Sequence, residues 1–138
     1  MRAVSLQRAP SADDIVTVGK AVLDGLPSEL RGLVSHVPIR VEDWPDETVL
    51  DALEIDDPLD LTGLYRAVPI GERFGNLVPS PEPEMIFLYR LPILVEWCER
   101  GCALEEVVFD VLTHEIGHHF GMNEDEVLRM EGRALEDE

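Results

Sequence analysis

The sequence predicts an α+β fold, a small mixed sheet packed with helices. Apolar residues recur at helical spacing towards both ends of the chain, whereas alternating or unbroken apolar runs cluster in its middle. At 138 residues, 45% of them hydrophobic, the chain is of single-domain length with enough apolar material for a real core. Residues 1–10 read as a loose arm and residues 11–138 as one domain.

Ser11 is placed to cap a first helix through Ile15, Val16, Val18, Ala21, Val22 and Leu23, with Asp13 and Asp14 in the first turn, where the dipole favours acids. Asp24-Gly25 ends or bends it, and residues 26–33 add a further turn or two. Val37, Ile39 and Val41 alternate with Pro38 and Arg40, the pattern of a strand with one buried face. Trp44-Pro45 breaks that strand. Residues 46–53 form a short helix capped by Asp46, and Asp56-Asp57-Pro58 is a loop. Residues 64–70 make a second strand closed by Gly71. A long irregular connection follows through Pro79, Pro81 and Pro83. Residues 85–91 are nearly all apolar, as in a strand covered on both faces. Pro92 suits the first turn of a helix through Leu94, Val95 and Trp97, which Gly101 ends. Residues 104–120 form the longest helix, stopped by Gly121. Asn123 caps a last short helix, with Glu126 as its capping-box partner.

A net charge of −18 repels phosphate backbones, so no nucleic-acid partner is expected, while a basic substrate or partner is compatible. No stretch approaches the ~20 apolar residues of a membrane span, and the N-terminal stretch lacks an apolar signal core. A cytoplasmic protein is expected. Two cysteines, Cys98 and Cys102, are too few for a disulfide framework, and no second Cys/His pair lies near them to complete a metal site. They read as buried thiols acting as small hydrophobes.

The chemistry concentrates in His114-Glu115-Ile116-Gly117-His118-His119-Phe120-Gly121-Met122-Asn123-Glu124-Asp125. Residues four apart share a helix face, so His114 and His118 can both reach one ion. Glu115 lies roughly 100° around the helix. It can reach a water held by that ion rather than the ion itself, which is where a general base belongs. His119 points away from this face and is not expected to ligate. Zinc needs a third protein ligand, and a turn at Gly121 can bring the next residues back beneath the ion. Glu124 is the first candidate and Asp125 the competitor. Asp110, one turn before His114, reads as a solvated helix residue or a group supporting a ligand. Tyr65, Tyr89, Arg90 and His36 are unranked candidates for stabilising an oxyanion.

HEIGHHFGMNEDE, together with the strand-like MIFLYRLP and the helix around Trp97, resembles the short bacterial zincin-like metallopeptidases. The resemblance is strongest over residues 84–127. It implies a minimal zincin fold with the active-site helix beneath a small sheet, and an HExxHxxGxxD-type motif carried by His114, Glu115, His118 and Gly121, with Glu124 at the place of the Asp. It further implies that residues 84–90 form an edge strand on which an extended peptide docks. The expected function is hydrolysis of peptide bonds in a peptide or protein substrate, with Zn²⁺ as cofactor and Glu115 as general base. The alternative is a zincin scaffold that binds a metal or a partner with little or no peptidase activity, favoured by the short stretch of chain after Glu124.

Overall fold

The structure, a computed structural model, describes residues 8–66, 84–123, 125, 126 and 129. Glu124, Met130, the continuation of the second strand beyond Arg66 and the proline-rich connection lie outside the described residues.

Helix α1 spans Ala12–Asp24 and opens as the sequence predicts. Ser11 Oγ accepts the Asp14 N–H at 3.1 Å, and the Asp14 carboxylate accepts the Ser11 N–H at 2.9 Å. These reciprocal bonds satisfy two donors that a helix start leaves open. Helix α2 follows at Ser28–Val34, and strand β1 at Ile39–Glu42. Asp46 is the N-cap residue of α3 (Glu47–Ala52), but its side chain makes no capping bond. Beyond α3 the expected loop contains a 3₁₀ turn at Pro58–Asp60, in which the Asp57 carboxylate accepts the Leu59 N–H.

The chain leaves α3 through a Schellman motif. Glu54 N–H donates to Asp51 O, Ile55 N–H donates to Leu50 O, and Glu54 sits in the left-handed region at φ 58°. A non-glycine residue there costs about 1–2 kcal/mol. Packing of Ile55 into the cluster that holds Leu50 offsets it.

Strand β2 (Gly63–Arg66) and strand β3 (Met85–Tyr89) complete a sheet in the order β1-β3-β2. β3 runs parallel to β1, with Ile39 opposite Ile86, and antiparallel to β2, with Tyr65 opposite Ile86. The expected cover on both faces of β3 is observed, but its expected role as an edge strand is not. It is the central strand, with its backbone groups shared between two neighbours, so the described edges are β1 and β2. A five-residue apolar run is what a central strand needs; an edge strand of that composition would invite aggregation.

Helix α4 (Arg90–Arg100) begins directly after β3, two residues before Pro92, and α5 (Leu104–His119) carries the motif. One face of the sheet, through Ile86 and Leu88, packs on Ile15 of α1 and on Val107, Val108, Val111, Leu112 and Ile116 of α5. Those α5 residues recur at i, i+3/i+4 spacing and form the stripe that seats the helix. The other face gathers Phe87, Tyr89 and Leu64 with Leu50, Leu61 and Ile55. Among the described residues no helix is long and apolar enough to cross a membrane.

The seat of α5 on β2 is unusually close. A Cβ added to Gly63 would lie 2.6 Å from Val111 Cγ1 and 3.2 Å from Phe87 O. Gly63→Ala is therefore expected to cost about 1–3 kcal/mol by overpacking. Part of that penalty should disappear when the same change is made in a Val111→Ala background. Urea midpoints of the two single variants and the double variant measure it. Strict additivity would show that the contact does not set the helix–strand spacing.

Candidate metal centre

α5 ends as the motif requires. Gly121 has φ 69°; its N–H donates to His118 O and the Met122 N–H to Gly117 O, a second Schellman turn. Met122 folds back against the core. Asn123 and Glu126 then form the expected capping box: Asn123 Oδ1 accepts the Glu126 N–H at 2.9 Å, and the Glu126 carboxylate accepts the Asn123 N–H at 3.3 Å.

His114 is half-buried and its Nδ1 lies 2.8 Å from the backbone carbonyl of Asp110, one turn earlier in the same helix. A carbonyl can only accept, so Nδ1 is the donor, and in the neutral ring the lone pair is left on Nε2. This fixes the tautomer and ring direction a ligand needs. His118, one turn on, is exposed. Asp110 thus acts on His114 through its carbonyl. Its carboxylate is held by Arg100 of α4 at 2.8 Å, and Arg100 also meets Glu96 at 3.0 Å.

Glu115 is turned towards the sheet, where its carboxylate accepts the backbone N–H of Tyr65 at 3.3 Å. Burial pushes its pKa above the usual carboxylate value; the Tyr65 N–H and the neighbouring His118 and His114 pull it back down. The backbone donor is available because of register. Tyr89 N–H donates to Thr62 O, so in this antiparallel ladder Thr62, Leu64 and Arg66 face β3, and Gly63 and Tyr65 turn their N–H and C=O groups to the other side.

Two clefts flank Glu115. One of about 300 Å³ is lined by His114, Thr62, Glu96, Arg100 and Asp110. The other, of about 470 Å³, is lined by His118, His119, Leu64 and Tyr65. His119 does not share the ligand face; its ring stacks on Tyr65 with centroids 3.8 Å apart and planes 13° apart. The Tyr65 hydroxyl donates to Glu84 at 2.6 Å, and burial with that carboxylate raises its pKa well above the ordinary tyrosine value.

The other oxyanion candidates sit elsewhere. Arg90 donates to Pro10 O and pairs with Asp43, and His36 is exposed beyond α2. Tyr89 is buried in the opposite face of the sheet, where burial raises its pKa to about 12.

In donor type the pair fits zinc: two imidazoles one helical turn apart, one with its tautomer set by a carbonyl. Among the described residues no group of three His, Cys, Asp or Glu side chains is assembled that could hold a metal ion. Glu124 lies outside the described residues.

Two features went unread in the sequence. Gly63, immediately before the expected strand, is the kind of strand glycine that signals close approach of another element. The Tyr65 donor is a main-chain group and leaves no side-chain signal.

A family model described as a zincin-like metallopeptidase matches residues 34–134. No curated protein matches the chain.

The cysteines differ from the expected buried pair. Cys98 is exposed on α4, and Cys102 is half-buried against the core. Three residues separate them, but only Cys102 points inwards. A thiol reagent should therefore modify Cys98 quickly in the folded protein and Cys102 only slowly. Mass spectrometry of timed, quenched samples reads both rates; equal rates would contradict the packing of Cys102.

Proposed function

Because the chain belongs to the zincin-like metallopeptidase family, we propose that it is a zinc-dependent peptidase with Glu115 as its general base. His114 and His118 would hold the ion, with Glu124 as the third ligand. The observation that carries the reading is the setting of Glu115. Its carboxylate is half-buried beside the two histidines and aimed by the outward N–H of the strand along which a peptide can lie.

Zinc bound there supplies Lewis acidity and lowers the pKa of its bound water towards ~7. The rest falls to the chain's own residues. Glu115 takes a proton from the attacking water and later delivers it to the leaving amine. Partial burial raises the pKa of this carboxyl, which favours the second of these tasks. The Asp110 carbonyl holds His114 in the tautomer that presents Nε2. An extended peptide would pair with the outward groups of β2 rather than with β3. The acidic surface suits a basic substrate.

Elemental analysis after dialysis is expected to find one zinc per chain in the wild type and in His119→Ala, and little in His118→Ala. Equal zinc in both variants would remove His118 as a ligand. Glu124→Ala should weaken zinc binding strongly, whereas Asp125→Ala should hardly change it; the reverse order would shift the third ligand by one residue.

Glu115→Gln should keep its zinc and lose about 10²–10⁴-fold in peptide hydrolysis. Undiminished turnover in that variant would eliminate Glu115 as the base. Zinc binding without hydrolysis by the wild type would favour a metal- or partner-binding scaffold.

A further inference from the structure

The larger of the two clefts beside Glu115 has four aliphatic residues in its lining, Leu53, Ile55, Leu61 and Leu64, together with Glu115 and His118. Its volume of about 470 Å³ is that of a ligand pocket. Leu64 and Tyr65 are successive residues of β2, so their side chains leave opposite faces of the sheet. A cleft lined by both must wrap the strand's edge, and this is the edge on which Gly63 and Tyr65 turn their backbone groups outwards.

Part of the lining comes from the turn after α3. The Schellman turn after α3 holds Glu54 at φ 58°, and the residues on either side of it, Leu53 and Ile55, both line the cleft. Leu53 remains 45% exposed despite its size. Two large aliphatic residues presented to an open cleft beside Glu115 suit an apolar occupant.

We infer that this cleft is a subsite for one large apolar side chain of a peptide lying along β2, next to the bond presented to Glu115. An aliphatic or aromatic side chain leaves the aliphatic walls dry. A polar one would lose its water against Leu53, Ile55 and Leu64. The peptide backbone needs only the outward edge of β2 to hold it in register. The inference takes its substrate class from the peptidase reading, but side-chain binding requires no hydrolysis, so the two can fail separately.

Two blocked heptapeptides of alanine and glycine, identical except for a central leucine or serine, provide the test. Each is titrated into methyl-labelled protein, zinc-loaded and zinc-free, followed by NMR and by turnover assay. The leucine peptide should shift the methyl signals of Leu53, Ile55, Leu61 and Leu64 and bind about tenfold more tightly than the serine peptide. Leu53→Gln, a change at an exposed position that the fold should tolerate, should erase most of that preference, and Leu53→Met should restore it.

Leucine preference with methyl shifts but no turnover would uphold the subsite and sink the peptidase reading. Turnover of both peptides at equal rates, without those shifts, would overturn the subsite and leave the peptidase reading standing. Absence of methyl shifts with either peptide would overturn it too, as would an undiminished preference in Leu53→Gln.

Discussion

The contact between α5 and β2 governs the rest of the site. Gly63 has no side chain, and Val111 occupies the space that one would fill. The helix therefore lies against the edge strand rather than a side chain's width away. One turn further along, the same closeness lets the Tyr65 N–H reach the Glu115 carboxylate, and one turn beyond that it lets His119 stack on the Tyr65 ring. These contacts come from residues four or more apart on the helix, so they report one rigid placement rather than separate adjustments. Interiors packed at crystal-like density transmit such a placement faithfully. The fully buried Val107, Val108, Leu112 and Ile116 hold the helix from the core side.

Charge is organised around this placement. The chain is strongly acidic, yet two carboxylates near the motif have defined partners. Arg100 on α4 binds both Glu96 and Asp110 at part-exposed positions. Ion pairs of that kind add little stability. Their effect is positional: they tie the turn whose carbonyl fixes His114 to the neighbouring helix. Among the described residues no cationic side chain is bonded to Glu115. Desolvation lifts its pKa, and only a main-chain N–H and two imidazoles oppose the lift. A base must give its proton back, and a carboxylate locked to an arginine would be too weakly basic to do so efficiently.

Much of this was legible in the sequence because it rests on local rules. The Ser11 and Asn123 capping boxes, the glycine stop at Gly121, the apolar stripe of α5 and the one-turn spacing of the histidines all follow from residues within four positions of one another. Strand order did not follow, because it depends on pairing between segments far apart in the chain. Residues 85–89 read correctly as a strand covered on both faces, which is also the mark of a central strand, yet the resemblance made it an edge. Cys98 and Cys102 looked alike in sequence and differ in burial because α4 ends between them. Glu54 is the case in which local rules mislead. A left-handed helix terminus normally signals glycine, and here tertiary packing of Ile55 on Leu50 sustains it in a glutamate.

The placement of β3 in the centre has a consequence for the chemistry. If a peptide is to be held by backbone pairing near Glu115, β2 is the strand that faces the right way, and its Tyr65 N–H is already engaged by the Glu115 carboxylate. At 3.3 Å that bond is long for a charged acceptor, for which ~2.7–2.9 Å is usual. That bond satisfies a strand donor and keeps the carboxylate pointing at the sheet, so a partner strand pairing with the outward edge of β2 would compete with Glu115 for one main-chain N–H.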